Sequence, residues 1–358
     1  MGYFFVFLGV LAITAFIIFH YQRVEQKRWK KIVFLLHSFL FLGAGIYFIG
    51  FFLGKADHFG MLILSYIAGT FVGVSLYSTI LLLFQDIIFL LCKKKRTIRT
   101  YNFIFLIAFA ITISGFINAK DIVITNYQLT IEKKEATIKS LHLAFIGDLH
   151  IGSNIRKKEI DTILQKVKRL NPELLIFNGD IFDEGTPQRL KDYFIEQLKT
   201  IQPPFGSYYI LGNHELNRPH LVQELKEWEQ VGVKMLSDQK FLIQNQFYLI
   251  GRKDRKQKRS SLQQLVQNSK NLPIILIEHR PFTLENQNLP IDLQLSAHTH
   301  NGQIIPFQAF DFITHQKTYG KYQQKNQQMI VTSGAGTWGI PLRMGSHSEI
   351  VAIKIQFH

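Results

Sequence analysis

Four long stretches without a single Lys, Arg, Asp or Glu constrain this chain more than any other feature: residues 1–22, 32–54, 59–85 and 100–119. A hydrocarbon core of roughly 30 Å needs about 20 apolar residues in a helix, and every run meets that length. The first run has no basic stretch before it and is followed by charge, unlike a cleaved signal peptide. The expectation is an all-α transmembrane region over residues 1–119, with spans at about 2–21, 32–53, 60–85 and 100–118. The third run continues past Asp86 to Cys92. A hairpin there would reverse the side on which the rest of the chain lies, but no charged turn is available near Gly69 to Gly73, so we read one span. His37 and Asp86 read as helix-end or interior-facing polar groups rather than as functional intramembrane residues.

The charge pattern supports the same organisation. The chain carries a formal +15, which by itself would suggest an anionic partner. Residues 1–118 hold 11 Lys and Arg against three acidic residues, and ten of the 11 fall in two clusters, 23–31 and 93–99, between apolar runs. Such clustering belongs to a polytopic membrane segment and argues against a nucleic-acid partner, leaving membrane lipids as the expected surroundings. Basic loops stay cytoplasmic. The amino terminus and everything after the fourth span are therefore expected on the extracytoplasmic side. A composition 47% hydrophobic excludes a disordered chain. Cys92 is the only cysteine, so no intrachain disulfide exists.

From about residue 120 the composition changes to a domain extending to 358. Short apolar runs end abruptly in polar residues: residues 143–147 before Asp148, 174–179 before Asp180, 208–212 before Asn213, 274–278 before His279 and 293–297 before His298. Such runs read as buried strands. Between the first two, Ile160, Ile163, Leu164, Val167 and Leu170 recur at helical spacing and stop at Asn171-Pro172, which makes a βαβ unit. In open α/β sheets ligands collect beyond the carboxyl ends of strands, where all these polar groups stand.

The donors Asp148, His150, Asp180, Asn213, His214, His279, His298 and His300 mix imidazole with carboxylate and amide oxygen. That set suits Mn, Fe, Co or Zn better than Mg or Ca alone. On an extended chain, Asp148-Leu149-His150 and His298-Thr299-His300 would each turn two side chains to one side, toward one site. Eight donors exceed the needs of one ion. Two metals sharing a bridging carboxylate are the economical arrangement, and such a pair stabilises both oxygens of an in-line phosphoryl displacement.

These motifs, Gly147-Asp148-Leu149-His150, Gly179-Asp180-Ile181-Phe182-Asp183, Gly212-Asn213-His214-Glu215, His279 and His298-Thr299-His300-Asn301-Gly302-Gln303, together resemble the calcineurin-like metallophosphoesterase superfamily over residues 141–356. With Ser333-Gly334-Ala335-Gly336 and Pro341-Leu342-Arg343, the chain is most similar to bacterial membrane-associated phosphoesterases of the YkuE and YaeI type. The resemblance implies an α/β fold, a β-sandwich flanked by helices. It implies one metal at Asp148, His150, Asp180 and His300 and another at Asp180, Asn213, His279 and His298, with Asp180 bridging. His214 would protonate the leaving oxygen and Asp183 would orient it. Ala297, Asn301 and Glu278 depart from the usual pattern without removing a ligand. Glu184, where protein phosphatases carry Arg, argues against a phosphoprotein substrate.

The basic run 252–259 reads as a solvated loop rather than a phosphate or lipid contact, and Arg343 as a residue that could meet a substrate phosphate. The whole reads as a membrane-anchored phosphoesterase with two divalent ions, Mn first among Mn, Fe, Zn, Co and Mg. Its expected substrate is a phosphodiester or phosphomonoester of the lipid or cell-envelope class. The alternative is a membrane receptor or scaffold that uses the same fold to bind.

Overall fold

Strand β3 (Leu174–Asn178) shows how the second part of the chain is built. Leu174 and Ile176 point to one face and Leu175 and Phe177 to the other, and all four are fully buried because both faces of its sheet are covered. The computed structural model describes residues 16–17, 20, 27–52, 59–92, 98–132, 135–152, 154–183, 185–218, 221–269, 271–281, 289–315 and 317–358. Contacts divide the chain into two units, residues 119–338 with 343–358 and residues 1–118 with Gly339–Leu342.

The larger unit contains two six-stranded sheets. One has the order β1 (Ile122–Ile131), β12 (Ser348–Phe357), β2 (Ser140–Ile146), β3, β4 (Ser207–Ile210), β5 (Val233–Met235). The other runs β10 (Gly320–Gln324), β11 (Gln327–Val331), β9 (Leu293–Ser296), β8 (Ile274–Ile277), β7 (Phe247–Gly251), β6 (Gln239–Ile243). Between them lies a core of Leu143, Phe145, Ile176, Ile210, Phe247, Leu249, Ile275, Leu295 and Ile353. The outer face of the first sheet is covered by α4 (Lys157–Leu170), α5 (Gln188–Leu198) and α6 (Leu221–Gln230), whose Ile163, Phe194 and Trp228 pack on Ile146 and Phe177. A short helix, α7 (Leu262–Val266), covers Tyr248, Ile250 and Leu276 on the outside of the second. This is the expected helix-flanked sandwich. Helix α4 follows the expected spacing and ends where Asn171 takes a left-handed conformation (φ 44°) that donates its N–H to the Lys168 carbonyl.

Strands β2, β3 and β4 are parallel neighbours, as are β8 and β9, so the carboxyl ends within each sheet lie together. The two groups of ends are sewn to one another. Asn178 Nδ2 donates to the Leu295 carbonyl at 2.9 Å, and a Cβ on Gly147 would stand 2.6 Å from that of Ala297.

The smaller unit contains α1 (Lys27–Phe52), α2 (Phe59–Cys92) and α3 (Ile98–Lys120). Two helical stretches among the described residues, 60–92 and 99–120, are long and apolar enough to cross a membrane, rather than the four expected. Helix α1 opens on charge and contributes the shorter apolar stretch Phe41–Gly50, while the expected span at 2–21 falls almost wholly outside the described residues. Residues 23–26 and 93–97 of the loop clusters used for orientation are outside them too, as are Glu184 and the side chain of His37. Helix α2 is unbroken for 34 residues, so no hairpin interrupts it. Asp86 lies 3.3 Å from His20 Nε2, an interior-facing polar pair as expected. Helices α1 and α2 approach closely at Gly43, where a Cβ would meet Ile67 Cγ2 at 2.5 Å. Gly339–Leu342 belongs to this unit, with the Tyr47 hydroxyl donating to the Gly339 carbonyl.

Candidate metal centre

Each predicted donor follows a strand on a tight loop. Asp148, His150, Asp180, His298 and His300 all take positive φ, from 47° to 77°. Such values are rare for residues with a Cβ, and their concentration here marks backbone held in strain around a site. The loops can close because the residues preceding them are small. A Cβ on Gly179 (φ 72°) would lie 2.5 Å from the Gly212 nitrogen, and one on Gly212 would lie 2.1 Å from Asp180 Oδ1.

Two groups of ligand atoms result, each drawn within 4.8 Å: Asp148, His150 and His300 in one, Asp180, His279 and His298 in the other. In the first, the Nε2 atoms of His150 and His300 face each other at 3.1 Å with their rings stacked. In the second, His279 Nε2 stands 3.1 Å from Asp180 Oδ2, and 3.9 Å from Asp148 Oδ1, so the groups adjoin. The outward ring nitrogens are anchored: His150 Nδ1 pairs with Asp183 Oδ1 at 2.7 Å, and His279 Nδ1 with the Asn178 carbonyl at 2.8 Å. Outer partners of this kind hold an imidazole in the tautomer that presents Nε2 to a metal. Asp148 Oδ2 accepts the His298 N–H at 2.8 Å, while the fully buried Oδ1 accepts no hydrogen bond among the described residues. Asn213 is buried alongside, its Oδ1 taken by Arg280 at 3.2 Å.

The electrostatics are those of a site suited to a cation. Burial alone would lower the His279 pKa, but Asp180 and then Asp148 outweigh it and carry the imidazole to about 10. Burial raises Asp148 to about 6 against the opposing pull of His279. For Asp180 burial acts upward too, yet His279, His214 and His150 hold it well below the usual carboxylate range. Burial and the neighbouring His150 keep His300 well below the ordinary imidazole value, as a neutral ligand must be. An orphaned carboxylate oxygen, facing imidazole nitrogens and mixed N/O donors together fit divalent first-row ions.

His214 is half-buried, its ring edge-on to His150 at 5.0 Å and its backbone N–H donated to Asp180 Oδ1 at 2.9 Å. A nitrogen of His214 lies within 4.8 Å of ligand atoms on both Asp183 and His150, although the short bond of Asp183 goes to His150. The extended-chain expectation holds for Asp148 and His150, which share a group. It fails for His298 and His300, which fall in different groups, as the family resemblance implies.

Arg343, read as able to meet a substrate phosphate, is engaged by the protein's own carbonyls. It is fully buried, and its guanidinium donates to the carbonyls of Ser333 and Gly336 at 2.6 Å each and of His300 at 3.3 Å, so it fixes the glycine-rich ending beneath the site. The run 252–259 is not simply a solvated loop either, because Arg252 and Arg259 turn inward to Glu278 at 3.3 and 2.6 Å. Glu278 is thereby paired with two guanidinium groups. Glu215 is the residue that sequence reasoning left without a role: its buried carboxylate accepts the N–H groups of Asp180 and Gly212 at 2.9 Å and of Ile181 at 2.6 Å.

Residues 141–302 match the family model described as calcineurin-like phosphoesterase. An uncharacterized metallophosphoesterase of Campylobacter jejuni is 30% identical over 76% of this chain and 76% of its own length. The chain belongs to the calcineurin-like metallophosphoesterases. A zebrafish protein described as a transmembrane protein with metallophosphoesterase domain is 26% identical over 93% of this chain and 82% of its own. The uncharacterized metallophosphoesterase YkuE of Bacillus subtilis is 26% identical over 63% and 86%. As a calcineurin-like metallophosphoesterase, the chain is a metal-binding phosphoric ester hydrolase by family, with apolar helices that fit membrane attachment.

Proposed function

We propose that this chain is a membrane-anchored di-metal phosphoesterase that hydrolyses a phosphodiester, in preference to a phosphomonoester, of the lipid or cell-envelope class. Residues 120–358 are its catalytic domain and 1–119 its anchor of four spans, with the site on the extracytoplasmic side. The adjoining of the two donor groups across Asp148 and His279, 3.9 Å apart, carries this reading. Asp148, His150, Asp180 and His300 would hold one ion and Asp180, Asn213, His279 and His298 the other. Manganese is preferred over Fe, Zn, Co and Mg.

Bound there, two divalent ions supply Lewis acidity and a water of lowered pKa. The protein does the rest. Asp180 would be shared between the two sets of ligands, from a backbone that Glu215 holds in place. Asp183 keeps His150 turned inward and stands within reach of the His214 imidazole, which gives its proton to the leaving oxygen as the phosphorus–oxygen bond breaks.

The test uses the full-length protein in detergent with bis-p-nitrophenyl phosphate and p-nitrophenyl phosphate. Chelation should abolish hydrolysis and Mn should restore it, with the diester favoured. Asp180→Asn should lose metal and activity together. His214→Gln should keep metal and lose activity by about 10²- to 10⁴-fold. A metal-loaded, folded chain that cleaves neither ester would instead support the receptor or scaffold reading.

A further inference from the structure

Arg280, immediately after His279, is absent from the ligand scheme yet borders it. Its Nη2 donates to Asn213 Oδ1 at 3.2 Å, and its Nε donates to Asp254 Oδ2 at 2.8 Å. Asp254 is fully buried, while the Arg280 side chain keeps 20% of its surface open. Arginine is thus clamped on one edge by a buried carboxylate and open on another, at the rim of the centre. Asp254 is itself fixed, since its Oδ1 accepts the Lys256 N–H at 2.9 Å.

The chain around Asp254 is built rather than loose. Asp238 accepts the Lys253 N–H at 3.0 Å and the Ser260 N–H at 2.7 Å, closing the segment at both ends. Glu278 binds Arg252 and Arg259 from below. Seven basic residues (Arg252, Lys253, Arg255, Lys256, Lys258, Arg259, Arg280) meet three acidic ones (Asp238, Asp254, Glu278), and Arg255, Lys256 and Lys258 are exposed. The exposed basic side chains therefore stand on the same segment whose Asp254 holds Arg280. A phosphate attacked between those groups would leave Arg280 beside it, facing whatever the substrate carries next.

We propose that Arg280, held by Asp254 and backed by the basic segment 252–260, is a second anion subsite that binds a further phosphate of the substrate without attacking it. The substrate class is then a phosphoester that carries a second phosphate next to the scissile one, as a diphosphate does. A planar guanidinium with open N–H groups suits phosphate oxygens, and the surrounding charge favours a polyanion over a singly charged diester. The inference deepens the hydrolase reading and rests on it for the position of the scissile phosphate.

Binding to the chelated full-length protein in detergent tests the subsite without catalysis and without competition for metal. Inorganic pyrophosphate should raise the thermal midpoint more than inorganic phosphate does. Arg280→Gln should abolish that difference, and Arg280→Lys should recover part of it. With Mn present, Arg280→Gln should raise KM for a nucleoside diphosphate by about tenfold. Pyrophosphate binding that Arg280→Gln leaves unchanged would overturn the subsite even if the enzyme proves active. Binding that depends on Arg280, in a protein that hydrolyses nothing, would retain the subsite and reject the hydrolase reading.

Discussion

Glu215 holds Asp180 by its backbone: the buried carboxylate accepts the Asp180 N–H at 2.9 Å, and those of Ile181 and Gly212 alongside. One side chain thus fixes the ends of two strands where the donor groups meet. Glu215→Ala would leave these N–H groups buried without a partner, at about 1–3 kcal/mol each. A thermal midpoint well below that of the parent, with loss of metal in elemental analysis, is the expected result. A variant as stable as the parent would show that water takes over the role.

Arg343 makes the opposite case, a conspicuous cation spent on structure. Arg343→Lys replaces a fork that reaches several carbonyls by a single ammonium, and should destabilise the protein by about 2–4 kcal/mol. KM of the folded fraction should stay within twofold of the parent value. A raised KM at unchanged stability would return Arg343 to the substrate.

Gly179 is required by shape. With φ at 72° and a Cβ that would stand 2.7 Å from His279 Nδ1, Gly179→Ala combines left-handed strain with a clash. The expected cost is about 2–4 kcal/mol. Gly320→Ala is the control, because φ is 95° there too but nothing lies within 4 Å. It should cost only about 1–2 kcal/mol. Equal losses in the two thermal midpoints would remove the steric argument.

The metal-free centre should report pH through His279. Its pKa is raised from the ordinary 6.5 to about 10, so its charged form stabilises the folded protein fully below 6.5, and that contribution is lost as pH rises through 10. Asp148, raised to about 6, also favours the folded state most at low pH, and loses that effect as pH rises through about 6. In chelator, the thermal-midpoint deficit of His279→Gln should be largest at pH 6 and shrink toward pH 10. Metal uptake at neutral pH should release a proton, measurable with an indicator dye in weak buffer. A deficit independent of pH would mean that the imidazole is neutral in the folded protein.

The five strand ends were legible because buried parallel strands leave continuous apolar runs, and because each run stops at a polar group that the interior does not accept. Helix α4 was legible from its spacing alone. The separation of His298 from His300 was legible only through the family resemblance, because their spacing on an extended chain turns both side chains to one side. The carbonyl partners of Arg343 were not legible either: a cation beside a glycine-rich stretch looks the same in sequence whether it meets phosphate or carbonyl oxygen. The partners of Glu215 and Arg280 come from other loops, so only the folded chain assigns them.

Gly339–Leu342 belongs to the helical unit, although Trp338 and Arg343 on either side belong to the other. Ile340 and Leu342 are buried there, with Leu342 Cδ2 3.2 Å from where a Cβ on Gly73 would stand. The helical unit is thus assembled from two separate stretches of chain, and a cut near residue 120 would leave four of its residues behind. Such a cut divides a packed unit rather than parting two, so the chain is best studied whole.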